Sequence, residues 1–143
     1  MRLNQSTDYS IRMVLYLAQV AQTVPSSKLS AVLGISSRYL LQIGARLRDA
    51  GMVRVSYGNS GGYVLTKCPE EITLFELVDL MERKTYSQKH SATVEREKTF
   101  STLEVAYEYI SVTTEKIMKS ITIESILKQK TDQWYVAQYC LYH

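Results

Sequence analysis

The chain has 143 residues, 45% of them hydrophobic and 22% charged, the composition of one ordinary globular unit with room for a small assembly element. No run of eighteen apolar residues is present, which excludes a transmembrane helix, and the polar start Met1 to Asp8 lacks a signal-peptide core, so the expected location is the cytoplasm. Net charge is +3, but the first 67 residues carry eight Lys/Arg against two acids, a net of +6, and the remainder nets −3, suggesting a polyanion-binding head joined to a separate assembly part.

Ile11, Val14, Leu15, Ala18 and Ala21 form one apolar stripe at helical spacing, with Thr7 or Asp8 as N-cap and Pro25 as the stop. Ser26 and Ser27 cap a short helix from Lys28 to Leu33, which Gly34 ends. Ser36 caps a third helix running to about Ala50, before Gly51. A short capped helix, a tight glycine turn and a longer helix make a helix-turn-helix pattern. Met52 to Tyr57 and Tyr63 to Thr66 are β-prone around Gly58-Asn59-Ser60-Gly61-Gly62, a hairpin in the position of a wing. Pro69 closes this module, and Thr73 caps a fourth helix, Leu74 to Glu82.

Residues 83 to 97 are charged and poor in apolar side chains, the composition of a mobile loop. Beyond them Phe100, Leu103, Tyr107, Ile110, Thr114, Ile117 and Ile121 step by alternating threes and fours. That heptad is the seam of a helix packing lengthwise on another helix; across a linker, with little else to cover it, intermolecular pairing is expected. Thr122 caps a short helix through Gln129, and the aromatic tail from Trp134 to Tyr142 fits helix, strand or clasping arm equally. The expected fold is mainly α with a small β-hairpin wing: a winged helix-turn-helix domain at 1–82, a loop at 83–97, and a long dimerisation helix with a C-terminal segment at 98–143.

On the third helix, Leu40, Ile43 and Leu47 share a docking side, and Ser37, Arg38, Leu41, Gln42 and Ala45 lie opposite. Arg matches the O6/N7 edge of guanine and Gln the N6/N7 edge of adenine, each through two hydrogen bonds. The N-terminal part of a recognition helix is the part that reaches base edges. Lys28, at the start of the preceding helix, suits a phosphate, and Asn59 and Ser60 make a wing tip small enough for a minor groove. The candidate DNA-binding residues are therefore Lys28, Ser36, Ser37, Arg38, Tyr39, Gln42, Asn59 and Ser60; the candidate dimerisation residues are Leu103, Tyr107, Ile110, Thr114, Ile117 and Ile121. The histidines, His90 and His143, have neither nucleophile–base nor metal-ligand spacing around them, so no catalytic or metal site is expected. The alternative reading is a winged helix that serves only as a protein-interaction adaptor, which would need no basic head.

The runs Ile35-Ser36-Ser37-Arg38-Tyr39-Leu40-Leu41-Gln42-Ile43, Leu47-Arg48-Asp49-Ala50-Gly51-Met52-Val53 and Gly58-Asn59-Ser60-Gly61-Gly62-Tyr63-Val64-Leu65 together resemble the IscR/NsrR/CymR (Rrf-two) family of winged-helix regulators. The resemblance is close over residues 1–82 and one of layout over 98–128. It implies homodimers crossing through a long helix, palindromic double-stranded DNA operators and often repression. In several members three cysteines after the fourth helix hold an iron–sulfur cluster, and in nitric-oxide sensors an aspartate at the place of Asp8 completes it. Here the loop from Arg83 to Glu97 contains no cysteine, and the two in the chain, Cys68 and Cys140, are 72 positions apart. No cofactor is therefore expected, and the effector is a small metabolite or a protein partner. Leu41 stands where IscR-like readers carry a glutamate, and an apolar side chain there suits a thymine methyl.

Overall fold

The computed structural model describes residues 2–82 and 98–129. The loop expected at 83–97 and the aromatic tail from residue 130 onward lie outside the described residues. Among the described residues six α-helices and one hairpin follow in order: α1 (Gln5–Val20), α2 (Ser26–Leu33), α3 (Ser37–Asp49), β1 (Val53–Ser56), β2 (Gly62–Leu65), α4 (Leu74–Glu82), α5 (Lys98–Ser120) and α6 (Ile123–Leu127). A 3-10 turn at Pro69–Glu71 links the hairpin to α4.

The first helix begins earlier than its apolar stripe suggests. Asn4, not Thr7 or Asp8, is the N-cap, its side chain accepting from the Ser6 N–H. Thr7 and Asp8 lie in the first turns, and Glu82 at the far end of α4 accepts from both the Asn4 N–H at 3.2 Å and the Thr7 hydroxyl at 3.1 Å. At its other end α1 stops at Val20, not at Pro25, with Ala21 left-handed at φ 57° and donating to the Leu17 carbonyl. The reason lies just beyond. Val24 precedes a proline, which disfavours helical backbone, and it pairs with Tyr63 through reciprocal backbone bonds of 2.8 and 2.9 Å. Pro25 opens α2 instead, so Ser26 and Ser27 occupy its first turn and make no cap.

The remaining boundaries follow the sequence closely. Gly34 is left-handed at φ 67°, and Ser36 caps α3 by accepting from the Tyr39 N–H at 3.1 Å. The antiparallel hairpin pairs Val53 with Leu65 and Ser56 with Gly62. Thr73 and Glu76 form a reciprocal cap on α4, the arrangement that satisfies two orphan N–H groups at once. Thr122 and Ser125 do the same for α6, which ends at Leu127, two residues short of the expected Gln129.

Met13, Val14 and Leu17 of α1, Leu29 of α2, Leu40, Ile43 and Leu47 of α3, Tyr63 of the wing, and Leu77 and Met81 of α4 form one core. Ile123 of α6 is fully buried in the same core, its N–H donating to the Ile72 carbonyl at 2.9 Å. The chain thus returns to the body after α5. Along α5 itself no residue is buried.

Candidate nucleic-acid interface

The third helix divides cleanly. Leu40, Ile43 and Leu47 are at most 1% exposed, whereas Ser37, Arg38, Leu41 and Gln42 all face solvent. Ala45, expected with them, is half-buried. The exposed residues lie within the first six positions of α3, the end whose free N–H groups and positive dipole favour anions. Ser36 accepts from the backbone with its oxygen and keeps its own O–H free to donate outward. Tyr39 is half-buried, its ring edge-on to Tyr9 at 5.9 Å and 89°, so it is partly committed to the body. Lys28 is exposed in the first turn of α2. Asn59 and Ser60 are exposed at the hairpin tip, between Gly58 at φ 99° and Gly61.

Two contacts that fix this geometry were not among the residues singled out by sequence. The first is Gly44, on the buried side of α3, against which the Tyr63 ring lies. A Cβ at Gly44 would stand 2.5 Å from a Tyr63 ring carbon. Tyr63 is only 2% exposed, and its burial raises the phenol above its ordinary value. Gly62 next to it lies so close to the Val24 carbonyl that a Cβ would meet it at 2.1 Å. The wing is thereby registered to the recognition helix and to the chain entering α2. A glycine in a helix centre was the available signal, since that position ordinarily disfavours it.

The second is Arg46, which donates to the Leu80 and Met81 carbonyls at 2.8 and 3.2 Å, tying α3 to the last turn of α4. Arg46 therefore belongs to the scaffold. Arg48 pairs with Asp49 at 3.1 Å, and that hydrogen bond raises its guanidinium further above an already high value, with Tyr57 contributing less. Tyr57, beside the wing tip, is 85% exposed, a position no apolar periodicity would have marked.

The candidate dimer seam divides by position. Leu103, Tyr107, Ile110 and Ile117 are 45%, 62%, 60% and 52% exposed. Thr114 is half-buried, and Ile121 falls just past the helix end, where its carbonyl accepts from the Leu74 N–H at 2.9 Å. The C-terminal end of α5 thus leans on α4, with Lys119 4.7 Å above the Phe75 ring, and the rest of the seam is open.

Two helices joined by a tight turn, followed by a hairpin and presenting an exposed Arg/Gln face, define a winged helix-turn-helix protein. The profile described as "Rrf2: Iron-dependent Transcriptional regulator" matches residues 3–129, and the chain belongs to this family. It is 38% identical over 88 residues to the HTH-type transcriptional regulator NsrR of Shouchella clausii, covering 57% of this chain and 56% of that one. To IscR of Photorhabdus laumondii it is 38% identical over 80 residues, covering 54% and 49%. The chain spans about half the length of these curated relatives. Among solved structures, T. potens IscR superposes with a TM-score of 0.73 at 24% identity, covering 93% of this chain and 90% of that one. CymR of B. subtilis does so at 0.73 and 21%, covering 90% and 98%. These likenesses establish a shared fold. No helix among the described residues is long and apolar enough to cross a membrane.

The family description names iron, and the residues present do not fit an iron–sulfur centre. Such a cluster needs several thiolates, and the chain has two cysteines. Cys68 is exposed at the start of the 3-10 turn, and the Asp8 carboxylate is held by Arg12 at 2.8 Å. Among the described residues no three His, Cys, Asp or Glu side chains converge.

Proposed function

We propose that this protein is a transcriptional regulator that reads a palindromic DNA operator as a homodimeric repressor in the cytoplasm, without an iron–sulfur cluster. The observation that carries the reading is the exposed N-terminal face of α3, Ser37, Arg38, Leu41 and Gln42, backed by a fully buried opposite face. Arg38 takes a guanine edge, Gln42 an adenine edge, and Leu41 a thymine methyl. Lys28, Ser36, Ser37 and Tyr39 grip the flanking phosphates, which position the helix without specifying sequence. Asn59 and Ser60 enter the adjoining minor groove.

Residues 1–82 act as the DNA-binding head. The α5 seam, Leu103, Tyr107, Ile110, Thr114, Ile117 and Ile121, pairs with a second copy, so two identical heads meet two half-sites about one helical turn apart, or a multiple of it. The effector is a small metabolite or a protein partner. Selection from a pool of random duplexes tests the reading. An imperfect palindrome should be enriched by the wild-type protein and lost with an Arg38→Ala/Gln42→Ala variant. Enrichment of no sequence at all would contradict DNA readout and favour an adaptor that binds only proteins.

A further inference from the structure

Burial of Leu40, Ile43 and Leu47 decides which side of α3 faces the core, but apolar contact has no direction of its own. It leaves the helix free to roll and slide by the small amounts that decide whether a side chain meets a base edge. Directional contacts at both ends of α3 remove that freedom. Near the N-terminus, Tyr39 meets Tyr9 of α1 edge-on, with ring centres 5.9 Å apart. Towards the C-terminus, Arg46 donates to the Leu80 and Met81 carbonyls at 2.8 and 3.2 Å. These carbonyls belong to the last turn of α4, which lacks intrahelical donors and carries the negative end of the helix dipole, so a guanidinium suits them.

A third contact closes the circuit. Glu82, in that same turn of α4, accepts from the Asn4 N–H at 3.2 Å and from the fully buried Thr7 hydroxyl at 3.1 Å. Helices α3 and α4 are thus joined through Arg46, α4 and α1 through Glu82, and α1 and α3 through the tyrosine pair. The last turn of α4 is the strut between the other two helices. Arg38, Gln42 and Arg46 follow one another at intervals of four along α3. Each interval advances about 6 Å and turns about 40°, so the three lie along one ridge. Arg46 anchors one end of that ridge, and the exposed Arg38 and Gln42 form the rest. A roll of α3 that broke the Arg46 contact would swing both reading side chains together.

We infer that Arg46 and Glu82 are positioning residues for DNA reading, acting through the last turn of α4 without touching DNA. Arg46 sets the roll of the recognition helix, and Glu82 holds the turn that Arg46 grips in place against α1. The inference rests on the proposed readout by Arg38 and Gln42 and adds what aims them at the groove. Displacing the last turn of α4 then weakens reading while every DNA-facing residue is still present.

Fluorescence anisotropy of the full chain, on the duplex selected by the wild type and on a scrambled one, tests this at several salt concentrations. Arg46→Met keeps the length and removes the donors. It is expected to weaken the selected duplex about tenfold, the loss of one aligned base contact, with the scrambled duplex and its salt slope nearly unchanged. Arg46→Lys keeps a charged donor and should recover part of the loss. Glu82→Ala should weaken the selected duplex in the same pattern by a smaller factor. Combined with Arg46→Met it should add little, because both act through one turn. Urea unfolding confirms that each variant is folded under the binding conditions, and if Arg46→Met is not, Arg46→Lys and Glu82→Ala carry the test. A folded Arg46→Met that binds both duplexes as the wild type does overturns the inference. So does a loss of about one unit of salt slope per subunit on the scrambled duplex, which would place Arg46 on a phosphate. Losses that multiply in the double variant would separate Glu82 from Arg46 and overturn the strut. A wild type that prefers no duplex removes DNA readout itself and the inference with it.

Discussion

Gly44 lies in the middle of the recognition helix, where glycine is ordinarily worse than alanine by about 1 kcal/mol. The Tyr63 ring occupies the space a methyl would need, at 2.5 Å, and being buried it has no free direction in which to move. Gly44→Ala should therefore destabilise the protein in spite of its better helix propensity, by the roughly 1–3 kcal/mol typical of an overpacked core. Urea unfolding reads this directly, and a raised midpoint would contradict the packing argument. Glu76 supplies a prediction in pH. Burial alone would raise its carboxyl, but the Lys67 ammonium at 2.8 Å and the Thr73 N–H outweigh that, and the net shift is downward. A carboxyl whose folded value is depressed stabilises the fold above its unfolded value, near the ordinary 4.5, and loses that contribution as pH falls through the folded value. Glu76→Gln should thus lower stability at pH 7 and narrow its gap to wild type as the pH drops below about 4.5. A gap independent of pH would show that the Lys67 and Thr73 contacts do not depend on the charge.

The caps separate structure from recognition at the level of elements. Ser36→Ala removes the hydrogen bond to the Tyr39 N–H and should cost about 0.5–2 kcal/mol. Ser36→Asp keeps the cap and suits the helix dipole, so thermal stability should recover, yet its charge faces the proposed phosphate and DNA affinity should not. Recovery of both would place Ser36 away from DNA. Much of this architecture is legible in the residues themselves. Gly34, Ser36 and Gly51 punctuate the helix-turn-helix, the glycine-rich run at 58–62 announces the hairpin, and the 3.6 period sorts both faces of α3. What escapes is non-local. The α1 cap depends on Asn4 with Glu82, 78 residues away in sequence, and the end of α1 is decided by Val24 pairing with Tyr63. Tyr57 and Arg46 likewise carry no local pattern, since their roles are set by what lies across from them.

The whole molecule combines a basic head with an acidic remainder and a long helix whose apolar sides stay uncovered in one chain. Introducing Glu at both Ile110 and Ile117 would bury unpaired charge at the seam, at a cost of several kcal/mol, and sedimentation should then show monomer or aggregate; an intact dimer would mean that the seam is not the interface. Anaerobic reconstitution with iron and sulfide should leave the protein colourless, because the segment 83–97 carries no cysteine and Cys68 and Cys140 are 72 positions apart. Stoichiometric iron with a visible charge-transfer band, lost on changing Cys68 or Asp8, would contradict that. In the proposed complex Arg38 and Gln42 of α3 read base edges while Lys28 of α2 holds the backbone, and fluorescence-anisotropy titration of matched and scrambled duplexes across several salt concentrations tests this most directly. Arg38→Ala and Gln42→Ala should each cost about 1–3 kcal/mol on the preferred duplex and flatten preference at particular bases. Lys28→Ala should weaken all duplexes alike and reduce the salt dependence by about one unit of slope per subunit. Sequence preference left intact by Arg38→Ala and Gln42→Ala but altered by Lys28→Ala would contradict the account.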